Sequence, residues 1–150
     1  MPRWKPPAPQ PGIYIQSMLT ENQVVDAVEA HLVRTGWTAV SKASTLQHGP
    51  GILAGRDGRR LVVEAKGATS SKEWTARFFR PFAGKQVRTH ISVALYTCLC
   101  WRDDPKNTGD VVAIALPDTS THRTKAEHMA PPLAALNIRV FWVSEDGTVR

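Results

Sequence analysis

Apolar and polar positions along the chain switch between two periods, and the switches mark out its elements. Over residues 21–35 the apolar side chains stand at Val24, Val25, Val28, Leu32 and Val33, a three-and-four spacing that gathers them on one side of a helix. Organisation begins over residues 17–20, where Thr20 and Gln23 have the spacing of a capping box, and Gly36 ends the helix. Residues 37–42 read as a first strand. The short apolar runs 51–56 and 59–66 flank Asp57-Gly58, a dipeptide whose two residues both accept the positive φ of a tight turn, so the pair reads as a β-hairpin. Residues 84–101 return to helical spacing, with Val87, Ile91 and Leu95 as the apolar stripe. Residues 111–116 and 138–144 are buried-strand runs, separated by a weak helical segment that Pro131-Pro132 interrupts. The expected order is α-β-β-β-α-β-(α)-β, an α/β class with no internal repeat.

Residues 1–16 are Pro-rich and read as an extended N-terminal arm; residues 17–150 read as one domain, since a chain of 150 residues builds one core. Lysine and arginine number 19 against 13 acidic residues, a net charge of +6, which favours an anionic partner, nucleic acid among them. No apolar run reaches the roughly 18 residues of a membrane span, and the Pro-rich start has no apolar signal core. The expectation is a cytoplasmic protein without a membrane partner. Cys98 and Cys100 stand two apart on one expected helix and point in different directions, so they read as reduced thiols rather than a disulfide. They also fall short of the four ligands of structural zinc.

The hairpin carries the chemistry. Counting outward from Asp57-Gly58 makes Gly51 the cross-strand partner of Glu64, and opposed residues share a face about 4.5–5.5 Å apart. Glu64 and Lys66 are two apart on one strand, so both point to that face while Val63 and Ala65 point away. A carboxylate, an ammonium and a position without a side chain converge.

Pro50-Gly51, then twelve residues, then Glu64-Ala65-Lys66 resembles the motif of the PD-(D/E)XK nucleases, and most closely their resolvase-like and Mrr-like branch. The order of elements over roughly residues 18–145 is similar too. The resemblance implies a restriction-endonuclease-like core, a mixed central sheet flanked by helices in αβββαβ order. It also implies metal-dependent hydrolysis of phosphodiester bonds in nucleic acid, DNA before RNA, with Mg2+ or Mn2+. By the same resemblance Glu64 is a metal ligand and Lys66 stabilises charge or helps activate the nucleophile. Glu21, at the start of the first helix, is the second acid and ligand, and Gln86, in GKQVRTH, is an accessory residue. The chain departs from the motif at Gly51, where the family has an aspartate ligand, so the implied metal site is weakened or lost. The alternative is a nuclease-fold module without catalysis that binds nucleic acid or a partner protein; a homodimer also fits.

Other residues hold more than one reading. Glu21 equally suits a first-turn acid favoured by the helix dipole. His90, four residues after Gln86 and on its face, could hold water or phosphate, or be a helix histidine with a satisfied hydrogen bond. Lys85 and Arg88 are candidates for phosphate contact. In the insertion after the hairpin, Lys72, Trp74 and Arg77, with Phe78, Phe79 and Arg80, interleave cations with aromatics as single-strand binders do; the phenylalanines also suit packing on the domain edge. Asp57 cannot replace the missing ligand, because six residues of strand separate it from Gly51, roughly 20 Å. His48, three residues before Gly51, is the possible substitute, and a nitrogen ligand suits zinc or manganese better than magnesium. No nucleophile elbow, P-loop or dinucleotide fingerprint is present.

Overall fold

The computed structural model describes residues 18–42, 51–70 and 80–150. Helix α1 (Glu21–Arg34) starts at the expected capping box: Gln23 N–H donates to Thr20 Oγ1 (3.2 Å) and Thr20 N–H to Gln23 Oε1 (2.9 Å). It ends as Gly36 takes a φ of +91°. Val24, Val25, Val28 and Leu32 are buried, whereas Val33 is 59% exposed. The 100° step per residue carries Val33 about a third of a turn from the centre of the stripe, so it does not join the core as its spacing suggested.

Strands β1 (Thr38–Lys42), β2 (Ile52–Arg56) and β3 (Arg59–Ala65) form an antiparallel meander, and β4 (Val111–Pro117) and β5 (Ile138–Val143) continue the sheet in parallel with β3, in the spatial order β1-β2-β3-β4-β5. The β2–β3 register runs from Arg56 opposite Arg59 to Ile52 opposite Val63. Asp57 and Gly58 turn the chain with φ of +53° and +74°, the positive pair that a two-residue hairpin demands. The free side of β5 is covered by the C-terminal residues, where Trp142 and Arg150 exchange backbone hydrogen bonds of 2.8 and 3.0 Å.

Both faces of this mixed sheet are covered. Leu61, Val63, Ala65, Ala113 and Ala115 pack with α1, the small alanines of β4 letting the helix approach. Val112, Ile114 and Leu116 pack on the other face with Val87, Ile91, Ala94 and Cys98 of α2 (Gly84–Asp103), Ala126 of α3 (Ser120–Glu127) and Leu133 of α4 (Ala130–Ala135). Burying each valine, leucine or isoleucine among these contributes roughly 1.5–3 kcal/mol. β4, buried at every position, has neighbours on both faces and both edges, which is why it reads as a continuous apolar run.

Two expectations change at this level. Leu95 is half-buried, and the stripe of α2 runs instead through Val87, Ile91, Ala94 and Cys98. The segment after β4 forms two helices that break at His128-Met129, and Pro131-Pro132 lie in the first turn of α4, where a missing N–H leaves no bond unmade. The prolines start a helix instead of interrupting one. Cys98 is buried and Cys100 exposed, both as free thiols. Among the described residues no helix is long and apolar enough to cross a membrane. The Pro-rich arm (1–16), His48, and Lys72, Trp74 and Arg77 lie outside the described residues.

Candidate active site

β3 enters the middle of the sheet with Leu61, Val63 and Ala65 facing α1, so the intervening Glu64 faces the layer of α2. Ile114, its partner on β4, belongs to that layer. Glu64 is 8% exposed. Its Oε1 accepts the Lys66 ammonium at 3.1 Å, with the two side chains 10% and 14% exposed. Its Oε2 is buried with no hydrogen-bond partner among the described residues. A carboxylate oxygen taken out of water and left unbonded is costly, so this atom marks a place where a further positive or donating group is expected. The nearby Cys98 thiol feels the same charge: burial first, and Glu64 second, push it up to about 12. It is an inert core thiol.

The second acid arrives from the other layer. Past β3 the chain turns at Gly67, and a Cβ there would stand 2.5 Å from Glu21 N and 2.8 Å from Thr20 C. Only glycine lets the start of α1 close on this corner. Ala68 N–H donating to Leu19 O at 2.7 Å completes the contact. Glu21 is thereby carried to the carboxyl end of β3, where its carboxyl is held above the ordinary range by burial, lowered by Lys66 and raised again by Glu64. The three charged groups form one electrostatic cluster around Lys66.

Gly51 keeps the expected register, since the ladder from Arg56–Arg59 to Ile52–Val63 puts it next opposite Glu64. It does not keep the expected face. It lies in a bend beyond the ladder, where a Cβ would meet Val63 O (3.4 Å), Ala65 N (3.6 Å) and Val25 Cγ2 (3.6 Å). A side chain there starts between the β3 backbone and α1, toward the helix that carries Glu21. Gly51 is not among the glycines with positive φ, so its backbone would accept an L-residue.

The structure assigns Gln86 a capping contact: its Oε1 accepts the Ala83 N–H at 2.9 Å and closes the first turn of α2. His90 stacks edge-on against Phe82, ring centres 4.5 Å apart. Lys85 and Arg88 are exposed in the first two turns of α2. His122 was not anticipated. It is 2% exposed, lies one turn into α3 beside the corner at Gly67, and is held well down, to about 4, by burial and then by His90, against a small upward pull from the Gly67 backbone. The signal available was Thr119-x-x-His122 directly after an apolar strand, a cap residue starting a helix at the carboxyl end of the sheet.

Glu21, Glu64, Lys66, Gln86 and His90 are thus spread along the carboxyl ends of β3 and β4 and the starts of α1 and α2, the edge at which open α/β sheets place their ligands. Among the described residues no group of three or more histidine, cysteine, aspartate or glutamate side chains is arranged to hold a metal ion. No protein-family model matches the chain, and neither a curated protein nor a solved structure matches it.

Proposed function

We propose that this edge of the sheet is a phosphodiester-cleaving site of the PD-(D/E)XK kind, weakened at Gly51. The observation that carries the reading is the buried Glu64–Lys66 pair with its unbonded carboxylate oxygen, placed where Glu21 feels both charges. The donor set suits magnesium or manganese: such ions keep several waters and need only one or two protein carboxylates. The unbonded Oε2 and the raised Glu21 carboxyl are what a bound cation would relieve. Glu64 and Glu21 would hold it, and when bound it would polarise a phosphoryl oxygen and favour attack by water.

The chain's own groups do the rest. Lys66, held on Glu64 Oε1, keeps an ammonium at the site edge to offset the charge of a phosphate in transit. Gln86 holds the first turn of α2 through Ala83, and the exposed Lys85 and Arg88 of that turn and the next offer cations to the nucleic-acid backbone. DNA is the preferred partner.

The test is Mg2+- or Mn2+-dependent cleavage of DNA by the chain and by Gly51→Asp. The substitution should raise cleavage, because it adds a carboxylate between β3 and α1 without backbone strain, and Lys66→Ala in that background should abolish cleavage while leaving binding nearly intact. If Gly51→Asp cleaves neither DNA nor RNA, while the chain binds nucleic acid with a salt dependence that Lys85 and Arg88 substitutions reduce, a binding module without catalysis replaces the enzyme. The lack of a side chain at Gly51 is the observation that favours this second reading.

A further inference from the structure

The corner Lys66–Ala68 joins the candidate site to three other elements, and its backbone groups can be followed one by one. Lys66 N–H donates to Ala115 O of β4 (3.0 Å), Ala68 N–H to Leu19 O before α1 (2.7 Å), and Phe82 N–H, just before α2, to Ala68 O (2.9 Å). The group beside them that faces α3 is the Gly67 carbonyl, and what it faces is His122. Buried backbone carbonyls are almost always bonded. Buried imidazole nitrogens are too, yet Nε2 of His122 has no well-formed hydrogen bond among the described residues. The His122 ring and the Gly67 backbone are thus buried neighbours, and the ring nitrogen is the one in need of a partner.

The carbonyl can only accept, and the other ring nitrogen bears on whether Nε2 carries the hydrogen it needs. Thr119 Oγ1 lies 2.7 Å from His122 Nδ1 and also accepts the His122 backbone N–H at 3.0 Å. The hydroxyl keeps a second lone pair, but its own hydrogen has Nδ1 within reach and a carbonyl beside Nε2 can only accept, so donation from Oγ1–H to Nδ1 satisfies both contacts and makes Nδ1 the bare nitrogen. A neutral imidazole with a bare Nδ1 carries its hydrogen on Nε2. A donor is therefore aimed toward the Gly67 carbonyl. Water is a poor substitute: the cavity lined by His122, Thr119, Ala68, Phe82 and Val87 is about 10 Å3, at the lower limit for a single molecule.

We infer that His122 is a positioning residue, which holds the Gly67 carbonyl through Nε2–H in a tautomer set by Thr119 and so fixes the corner from which Lys66 reaches Glu64. His90 on α2 is the titratable neighbour facing the ring. Burial first, and His90 second, disfavour a charge on His122. The clamp itself stands on this geometry; its consequence for cleavage rests on the reading of the site given above.

The experiment is nuclear magnetic resonance of the labelled full chain. At neutral pH the Nδ1 of His122 should resonate as a bare, pyridine-type nitrogen and Nε2 as a proton-bearing, pyrrole-type one. Thr119→Val should mix the tautomers, and Thr119→Ser, which keeps the hydroxyl, should restore the original pattern. His122→Phe, which keeps the volume and removes both nitrogens, should shift the Gly67 carbonyl carbon and the Lys66 side-chain signals while leaving the packing of α1 on β4 unchanged. In a Gly51→Asp chain that cleaves DNA, His122→Phe should lower kcat roughly 10–100-fold, as the loss of a residue supporting a ligand does, with little change in KM. The opposite tautomer in the unsubstituted chain overturns the clamp even if no variant folds, as does a His122→Phe protein whose Gly67 carbonyl does not move. An absence of cleavage in every chain counts against the nuclease reading and leaves the tautomer and carbonyl signals to decide the clamp.

Discussion

The two ends of β3 handle charge in opposite ways. At the hairpin end, Arg56 lies over the Trp37 ring at 4.6 Å and donates to Thr35 O at 2.9 Å, and Arg60 lies over Trp101 at 5.3 Å and donates to Asp110 at 2.9 Å and Asn107 at 2.8 Å. These groups are exposed and fully engaged. At the carboxyl end the charges are fewer, more buried, and incompletely bonded: among the described residues Glu64 Oε2 has no hydrogen-bond partner, and His122 Nε2 has no well-formed one. A fold that bonds its buried polar side chains elsewhere among the described residues and leaves a carboxylate oxygen bare at this edge has concentrated its cost there, as a site awaiting a ligand does.

Severing the buried pair should give the largest effect. Lys66→Met leaves the Glu64 carboxylate uncompensated and should cost about 3–5 kcal/mol, whereas the double change Glu64→Leu with Lys66→Met should be close to neutral or stabilising. Denaturant unfolding at neutral pH measures both. A single substitution costing no more than an exposed arginine would erase the contrast between the two ends.

The second test uses pH. His122 is held near 4 in the folded chain against about 6.5 unfolded, so between these values the unfolded state binds more protons and stability rises with pH. The contribution is complete above about pH 6.5 and disappears as pH falls toward about 4, on the order of 3 kcal/mol in all. A titration of unfolding free energy should show this slope, and His122→Phe should flatten it. An unchanged slope in that variant would place the titrating group elsewhere.

The smallest effect belongs to the hairpin end. Arg60→Met removes a pair with Asp110 whose arginine side chain is 44% exposed, and should cost about 1 kcal/mol or less, diminishing further in salt. A loss as large as that of Lys66→Met would mean that the exposed end carries as much of the stability as the buried one.

Local sequence determined a great deal here because its signals act over short distances. Thr20 and Gln23 cap α1, Asp57-Gly58 sets the hairpin register, and the alternation along β3 puts Glu64 and Lys66 together on one side, away from Val63 and Ala65. Each depends on residues within a few positions of one another, where backbone geometry leaves few alternatives. The direction of Gly51 was not available in the same way, because register specifies which residues are opposed but not whether the chain bends just beyond the last pair. Val33 shows the same limit: its spacing was apolar and helical, yet only the angle at which α1 meets the sheet selects four of the five valines and leucines for burial.

Tertiary structure alone decided what surrounds the pair. Gly67 is an unremarkable glycine in the sequence, and its need to be one comes from the start of α1 lying against it. His122 stands far from Lys66 along the chain and reaches the same corner because β4 runs parallel to β3 and delivers α3 to the same edge. The parallel pairing needs a long crossover, so the groups that complete such an edge are always distant in sequence, and no local pattern marks them. Local patterning thus supplied the acid and the amine, the close approach of α1 at Gly67 supplied the second carboxylate, and the parallel half of the sheet supplied their burial and the histidine behind them.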